Sequence, residues 1–144
     1  MIGKKAPHFT LKDQEGNVIA LTDVLEHHWV ALVFYPGDET PGCIEQLCAI
    51  RDDWADFQAA NIMAYGVNPG DADSHTKFWR HHGLKTPLLI DEGMKVAESY
   101  DAVKKYFGHD IINRTVVLID QHGVIQFYKR GMPSPKEIIA AKTV

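Results

Sequence analysis

The sequence predicts an α/β fold in which a mixed central sheet is flanked by helices and preceded by an N-terminal β-hairpin. Three observations carry this. The apolar run Trp29 to Tyr35 has the length and composition of a strand buried on both faces. Short apolar runs then alternate with segments of helical periodicity as far as Tyr100. Two β-rich runs, Thr115 to Ile119 and Val124 to Lys129, flank the turn signal Asp120-Gln121-His122-Gly123, which reads as a closing hairpin.

Taken in order, Lys12 to Leu21 gives two short extended pieces around Glu15-Gly16-Asn17. After the strand at Trp29 comes the loop Pro36-Gly37-Asp38-Glu39. Apolar side chains then fall at Cys43, Leu47, Ile50, Trp54 and Phe57, one stripe of an amphipathic helix. Ile62 to Val67 is the next strand. Asp73-Ser74 offers N-caps for a helix that holds Phe78 and Trp79 and stops at Gly83. Leu88 to Ile90 makes a strand and Met94 to Tyr100 a short helix. Past the hairpin, Ser134-Pro135-Lys136-Glu137 is a capping box that announces a last helix through Ile138 and Ile139. No repeat or linker interrupts the series, so residues 1–144 are expected to form one domain.

Composition narrows the function. The chain has 144 residues, 45% apolar and 10% aromatic, enough for a core without disulfide or metal staples. Fifteen basic and 19 acidic side chains leave a net charge of −4 with the cations scattered, so nucleic acid is not an expected partner. The longest apolar run falls far short of the roughly 20 residues of a spanning helix. No apolar signal core follows Met1-Ile2-Gly3-Lys4-Lys5, so a cytoplasmic location is expected. The two cysteines, Cys43 and Cys48, are expected as thiols in a reducing compartment, where such pairs are more often catalytic or metal-binding than structural.

Cys43 sits in a telling place. Thr40-Pro41-Gly42-Cys43 reads as a helix start, with Thr40 at the N-cap and Pro41 at the first helical position. Cys43 then takes the third helical position, where a capping box would put a carboxylate and where free backbone N–H groups favour an anion. The plain alternative is a small apolar residue on the stripe with Leu47 and Ile50. Cys48 argues against that. Positions five apart on a helix have Cα atoms about 8.6 Å apart, whereas a disulfide needs about 7 Å or less. A bond between the two therefore requires unwinding around residues 40–50. The disulfide form is expected to lose amide-exchange protection there, and equal protection in both redox forms would contradict this.

Phe34-Tyr35-Pro36-Gly37-Asp38-Glu39-Thr40-Pro41-Gly42-Cys43, followed by Cys48 and Arg51-Asp52, resembles the active-site segment of the peroxiredoxins of the Q type, also called bacterioferritin comigratory proteins. The resemblance extends through Ala6-Pro7, Phe9-Thr10-Leu11, Ser74-His75 with Phe78, Pro87-Leu88-Leu89 and Arg114 ahead of Thr115 to Asp120, nearly the whole chain. It implies a thioredoxin-like fold and reduction of hydrogen peroxide and organic hydroperoxides by thiols. Cys43 would be the peroxidatic cysteine and Cys48 the resolving one. Pro36 would shield the thiolate, Thr40 would hydrogen-bond the peroxide oxygen and Arg114 would hold thiolate and substrate. A thioredoxin-like dithiol would recycle the disulfide, without metal, flavin or haem; because both cysteines lie in one segment, a monomer is expected. Three positions depart from the pattern: Ile44 replaces a threonine, Gln46 a glutamate that orients the arginine, and His8 an aspartate. An amide oxygen can still accept the arginine's hydrogen bond.

An ordinary thiol is about 3% ionised at pH 7, so ionisation alone raises its reactive population by roughly thirtyfold at most. Fast peroxide cleavage must come mainly from donors aimed at the oxygens as the O–O bond breaks. Thr40, Arg114 and the Cys43 N–H are the candidates. Two rivals use the same cysteines: a dithiol oxidoreductase acting on protein disulfides, and a redox sensor that is not an enzyme. A cysteine hydrolase would want glycine where Glu45 stands. The pairs His27-His28 and His81-His82 are read as non-ligating, because neighbours on a helix face different ways and lack zinc spacing with the cysteines.

Overall fold

The computed structural model describes residues 1–142. Its centre is a five-stranded sheet whose strands lie in the order Leu88–Ile90, Ile62–Asn68, Trp29–Phe34, Thr115–Ile119 and Ile125–Arg130. Strands β3 (Trp29–Phe34), β4 (Ile62–Asn68) and β5 (Leu88–Ile90) run parallel, and β8 (Thr115–Ile119) and β9 (Ile125–Arg130) close the sheet as an antiparallel hairpin beside β3. The opening hairpin is also present, with β1 (Thr10–Lys12) paired to β2 (Val18–Ala20). Asp13 closes its turn by accepting the Glu15 and Asn17 N–H groups at 2.9 Å each.

The period of two along β3 divides the core. Val30, Leu32 and Phe34 face one apolar cluster, while Ala31, Val33 and the following Tyr35 face the other. Against the first lie helix α1 (Leu21–Leu25), α5 (Lys95–Ser99) and the N-terminal segment, through Leu21, Leu25, Ala97 and Phe9. Against the second lie α2 (Pro41–Asp52), α3 (Trp54–Ala59), α4 (Ala72–His81) and α6 (Pro135–Ala140), through Cys43, Leu47, Ile50, Phe57, Phe78 and Ile138. Cys43 thus belongs to the layer under the carboxyl ends of the parallel strands, the usual position of sites in such sheets.

The expected long helix through Phe57 is two helices. Asp53 adopts φ −103°, ψ 19°, outside the helical region, and divides α2 from α3. Its carbonyl accepts from Asp56 and Phe57 and so starts the second helix afresh. The α4 cap is Asp71, two residues before the expected Asp73: its carboxylate accepts the Ser74 N–H at 2.9 Å, the third helical position. Local spacing could not choose between two aspartates two residues apart. Met94 is not helical but left-handed, with φ 58°, so the helix expected from Met94 begins at Lys95. The hairpin of β6 (Val103–Tyr106) and β7 (His109–Ile112) carries few apolar alternations and was not legible. Ser134 caps α6 as expected, accepting the Glu137 N–H at 3.1 Å.

Candidate active site

Helix α2 begins at Pro41, with Thr40 at the N-cap in an extended conformation and Cys43 at the third helical position. The first intrahelical bond runs from Ile44 N–H to the Thr40 carbonyl at 2.9 Å. The N–H groups of Gly42 and Cys43 precede it and belong to the unpaired set of every helix start. Thr40 does not cap them: its hydroxyl donates instead to the Gly37 carbonyl at 2.9 Å, closing the turn Gly37–Thr40. The sulfur therefore has no hydroxyl competitor for the donors of the first turn.

Arg114, immediately ahead of β8, reaches across to this helix start. Its Nη2 donates to Cys43 Sγ at 3.3 Å and its Nη1 to Gln46 Oε1 at 2.7 Å. Gln46 follows Cys43 by three residues, so both point from one helix face toward the guanidinium. The amide oxygen fills the place expected of a carboxylate, while its buried Nε2 finds no partner among the described residues. A glutamate would satisfy both oxygens with the arginine's fork. Gly42 makes room for the arrangement: a Cβ there would stand 3.0 Å from Arg114 Nη2. Two other arginines are occupied elsewhere. Arg51 bonds Asp52 and the His82 carbonyl, and Arg130 bonds the Asp101 carbonyl and the Thr115 hydroxyl.

Cys43 has no exposed surface and Cys48 is partly exposed; both are free thiols. A reactant reaches the Cys43 sulfur only when its surroundings move. Pro36 and Thr40 stand exposed in the loop ahead of it. The structure thus brings Cys43, Arg114 and Gln46 into contact, places Cys48 one turn further along α2, and leaves Pro36 and the Thr40 hydroxyl on the rim.

Two groups around the loop were not recognised from sequence. Asp38, with its side chain 6% exposed, accepts from the Tyr35 hydroxyl at 2.7 Å, the Ser74 hydroxyl at 2.6 Å and His75 Nδ1 at 2.6 Å. His75 is fully buried, and its Nε2 faces the carbonyls of Asn68 and Leu89, both at 3.3 Å. A ring that donates from both nitrogens satisfies all three oxygens. Burial alone would raise the Asp38 carboxyl, but the hydrogen bonds of His75 and Ser74, the His75 charge and the Tyr35 hydroxyl hold it below its ordinary range. Tyr35 is pushed well up, by burial first and then by Asp38. Asn68 adds a bond from its amide to the Tyr35 carbonyl at 2.8 Å. This network fastens the loop to α4 and β4. Ser74-His75 was visible as a shared motif, but nothing local ties it to a carboxylate 36 residues earlier.

The second group corrects the expectation that His81 and His82 face different ways. Glu39 bonds both imidazoles, to His81 Nδ1 and His82 Nε2, each at 2.9 Å. Helical divergence does not apply, because α4 ends at His81 and His82 has left the helix, with φ −106° and ψ 6°. The two rings stand 4.3 Å apart on the same side.

Arg114→Ala is expected to leave the fold intact and lower the rate of Cys43 oxidation by peroxide about 10²- to 10³-fold, the typical cost of losing one donor aimed at developing negative charge. Stopped-flow oxidation of the reduced protein measures this. A change below about threefold would remove Arg114 from the chemistry.

A parallel sheet closed by a hairpin, with a cysteine at a helix start under a guanidinium, defines a thioredoxin-like protein with a cysteine-centred site. A model of the AhpC/TSA family matches residues 2–128, and the chain belongs to that family, with the peroxiredoxins of the Q or bcp type as its relatives. It is 38% identical over 131 residues to the putative peroxiredoxin bcp of Coxiella burnetii, covering 86% of this chain and 84% of that one. It is 36% identical over 137 residues to the chloroplastic peroxiredoxin Q of Oryza sativa subsp. japonica, covering 95% of this chain but only 62% of that longer protein. The fold matches the crystal structure of the peroxidoxin BcpB from Mycobacterium tuberculosis with a TM-score of 0.90 at 26% identity, over 97% of this chain and 94% of that one. It matches the PrxQ of Xylella fastidiosa with the same score at 24% identity, over 97% and 93%.

Proposed function

We propose that the chain is a thiol peroxidase acting on hydrogen peroxide and organic hydroperoxides, with residues 1–144 as one catalytic unit. The observation that carries this is the Arg114 guanidinium 3.3 Å from the Cys43 sulfur at the start of α2. The Cys43 thiolate attacks the nearer peroxide oxygen; the O–O bond breaks, and the departing alkoxide or hydroxide takes a proton to leave as alcohol or water. Cys43 is left as a sulfenic acid. Arg114 and the N–H groups of the first turn support the negative charge moving along the O–O axis, and Thr40, freed from Gly37, adds a hydroxyl.

The Cys48 thiol then condenses with the sulfenic acid, expelling water and forming a disulfide. A helical α2 keeps the two positions about 8.6 Å apart, so the first turns unwind at this step. A thioredoxin-like dithiol reduces the bond and becomes a disulfide itself. Since one segment holds both cysteines, a monomer suffices. Thiols kept reduced between cycles fit a reducing compartment such as the cytoplasm. Among the described residues no helix is long and apolar enough to cross a membrane.

The test is turnover. With a thioredoxin system and excess hydroperoxide, each protein molecule is expected to consume many equivalents of peroxide, matched one to one by reductant. A redox sensor would stop at one equivalent. A protein-disulfide oxidoreductase would consume none.

A further inference from the structure

Away from Cys43, Glu39, His81 and His82 bring one ligand atom each within 4.8 Å of one another. We propose that these three residues form a binding site for a divalent transition cation of the zinc class, and that the bound ion clamps the loop ahead of Cys43. Two imidazoles and one carboxylate, with a fourth position open to water, make a donor set that Zn²⁺ takes readily. Magnesium and calcium prefer all-oxygen surroundings and are excluded by the same donors.

The geometry needs little change. Bonds of about 2.0–2.2 Å in a tetrahedron put ligand atoms roughly 3.3 Å apart; His81 Nδ1 already stands 2.9 Å from Glu39 Oε1 and His82 Nε2 2.9 Å from Oε2. His82 is the fixed member, its side chain 18% exposed and its ring edge-on to Phe78 at 5.4 Å. His81 and Glu39, at 69% and 41%, have room to adjust. In the metal-free cluster His81 Nδ1 and His82 Nε2 direct their hydrogens at Glu39. A ring in the other neutral tautomer carries its hydrogen on the opposite nitrogen and offers the lone pair of the Glu39-facing nitrogen to the ion.

The position of the site gives it a consequence. Glu39 directly precedes Thr40, the cap of α2, and holds a left-handed conformation with φ 59° that non-glycine residues seldom adopt. At the other end of the cysteine segment, Arg51 Nη1 donates to the His82 carbonyl at 2.6 Å. Both ends of residues 40–50 are thus fastened to the terminus of α4. An ion on Glu39, His81 and His82 strengthens the first of these attachments and opposes the unwinding that brings Cys48 to Cys43. This second part rests on the disulfide step proposed above; the binding site does not.

Binding is tested without thiols, by calorimetric titration of the Cys43→Ser/Cys48→Ser protein with Zn²⁺. One ion per chain is expected, with no response to Mg²⁺. His81→Ala in that background is expected to weaken binding by more than about a hundredfold, since changes merely adjacent to ligands already cost about 10- to 100-fold. No saturable binding, or binding untouched by His81→Ala, overturns the site. Quenched-flow mass analysis of the cysteine-intact chain after one equivalent of peroxide then follows Cys43–Cys48 bond formation with and without Zn²⁺. At least about a tenfold slowing is expected, abolished by His81→Ala. Equal rates with a bound ion overturn the clamp, as does slowing that survives His81→Ala. If no disulfide forms even without zinc, the clamp falls together with the peroxidase cycle, while the calorimetric result stands separately.

Discussion

Cys43→Ser is expected to abolish peroxide turnover, while Cys48→Ser is expected to oxidise at Cys43 and then stall without cycling. The two cysteines share a helix but not an environment. Cys43 has a guanidinium 3.3 Å away and the unpaired N–H groups of the first turn beside it. Cys48, further along α2, is partly exposed and lies beyond the first turn; the Arg51 guanidinium acts on it through space but no guanidinium is hydrogen-bonded to it among the described residues. A serine hydroxyl at position 43 is too weakly acidic and nucleophilic to replace the sulfur, so no oxygen transfer begins. With Cys48 removed, transfer still occurs, but the sulfenic acid has no neighbouring thiol with which to condense. Excess peroxide then carries it to sulfinic acid, about 32 mass units above the thiol and beyond recovery by a dithiol. Intact-mass analysis after stepwise additions of peroxide reads both outcomes. Full activity in Cys43→Ser, or sustained cycling in Cys48→Ser through a thioredoxin system, would reassign the roles.

His75→Ala is expected to destabilise the protein by about 3 kcal/mol, the cost of leaving a buried carboxylate without one of its hydrogen-bond donors. The Asp38 carboxylate would keep the Tyr35 and Ser74 hydroxyls but lose the imidazole bonded to it in a site where its side chain is only 6% exposed. For a chain of this size the loss corresponds to a drop in melting temperature of about 10 °C or more. A change under about 1 kcal/mol would show that water fills the gap without penalty. Because the folded Asp38 carboxyl lies below its ordinary value of 3.8, its contribution to stability is whole above that pH and fades as pH falls through the lower folded value. Asp120 is held low in the same direction: burial opposes this, but the N–H groups of Val124 and His122 and the Gln126 amide outweigh it. Asp38→Asn is therefore expected to flatten the acid limb of the stability profile below about pH 4, leaving the part due to Asp120. Denaturant unfolding at a series of pH values measures the slope.

The residues that announce themselves locally were those whose neighbours in sequence are also their neighbours in space. Trp29 to Tyr35 reads as a buried strand because seven residues with no polar break have nowhere else to go. Thr40-Pro41 marks a helix start because Pro41 has no N–H to lose there. The fold class followed from such segments and the resemblance of the whole chain. What was not legible depends on distance along the chain or on how an element ends. Arg114 lies 71 residues from Cys43, and only the family pattern distinguished it from Arg51, Arg80 and Arg130. Asp38 and His75 meet because β3 and β4 are adjacent, which no periodicity records. His81 and His82 were judged by the rotation of a helix that has in fact ended between them. The Thr40 hydroxyl had two acceptable uses, and the turn at Gly37 claimed it.

The interruption at Asp53 sets a boundary for everything that happens upstream of it. Helical order spreads only along an unbroken ladder of backbone bonds, and here the ladder restarts, with the Asp53 carbonyl serving α3 alone. Whatever frays the turns around Cys43 meets a firebreak before Phe57 and the sheet beneath it. The opening proposed for the reactive segment can therefore recur without drawing α3 into it.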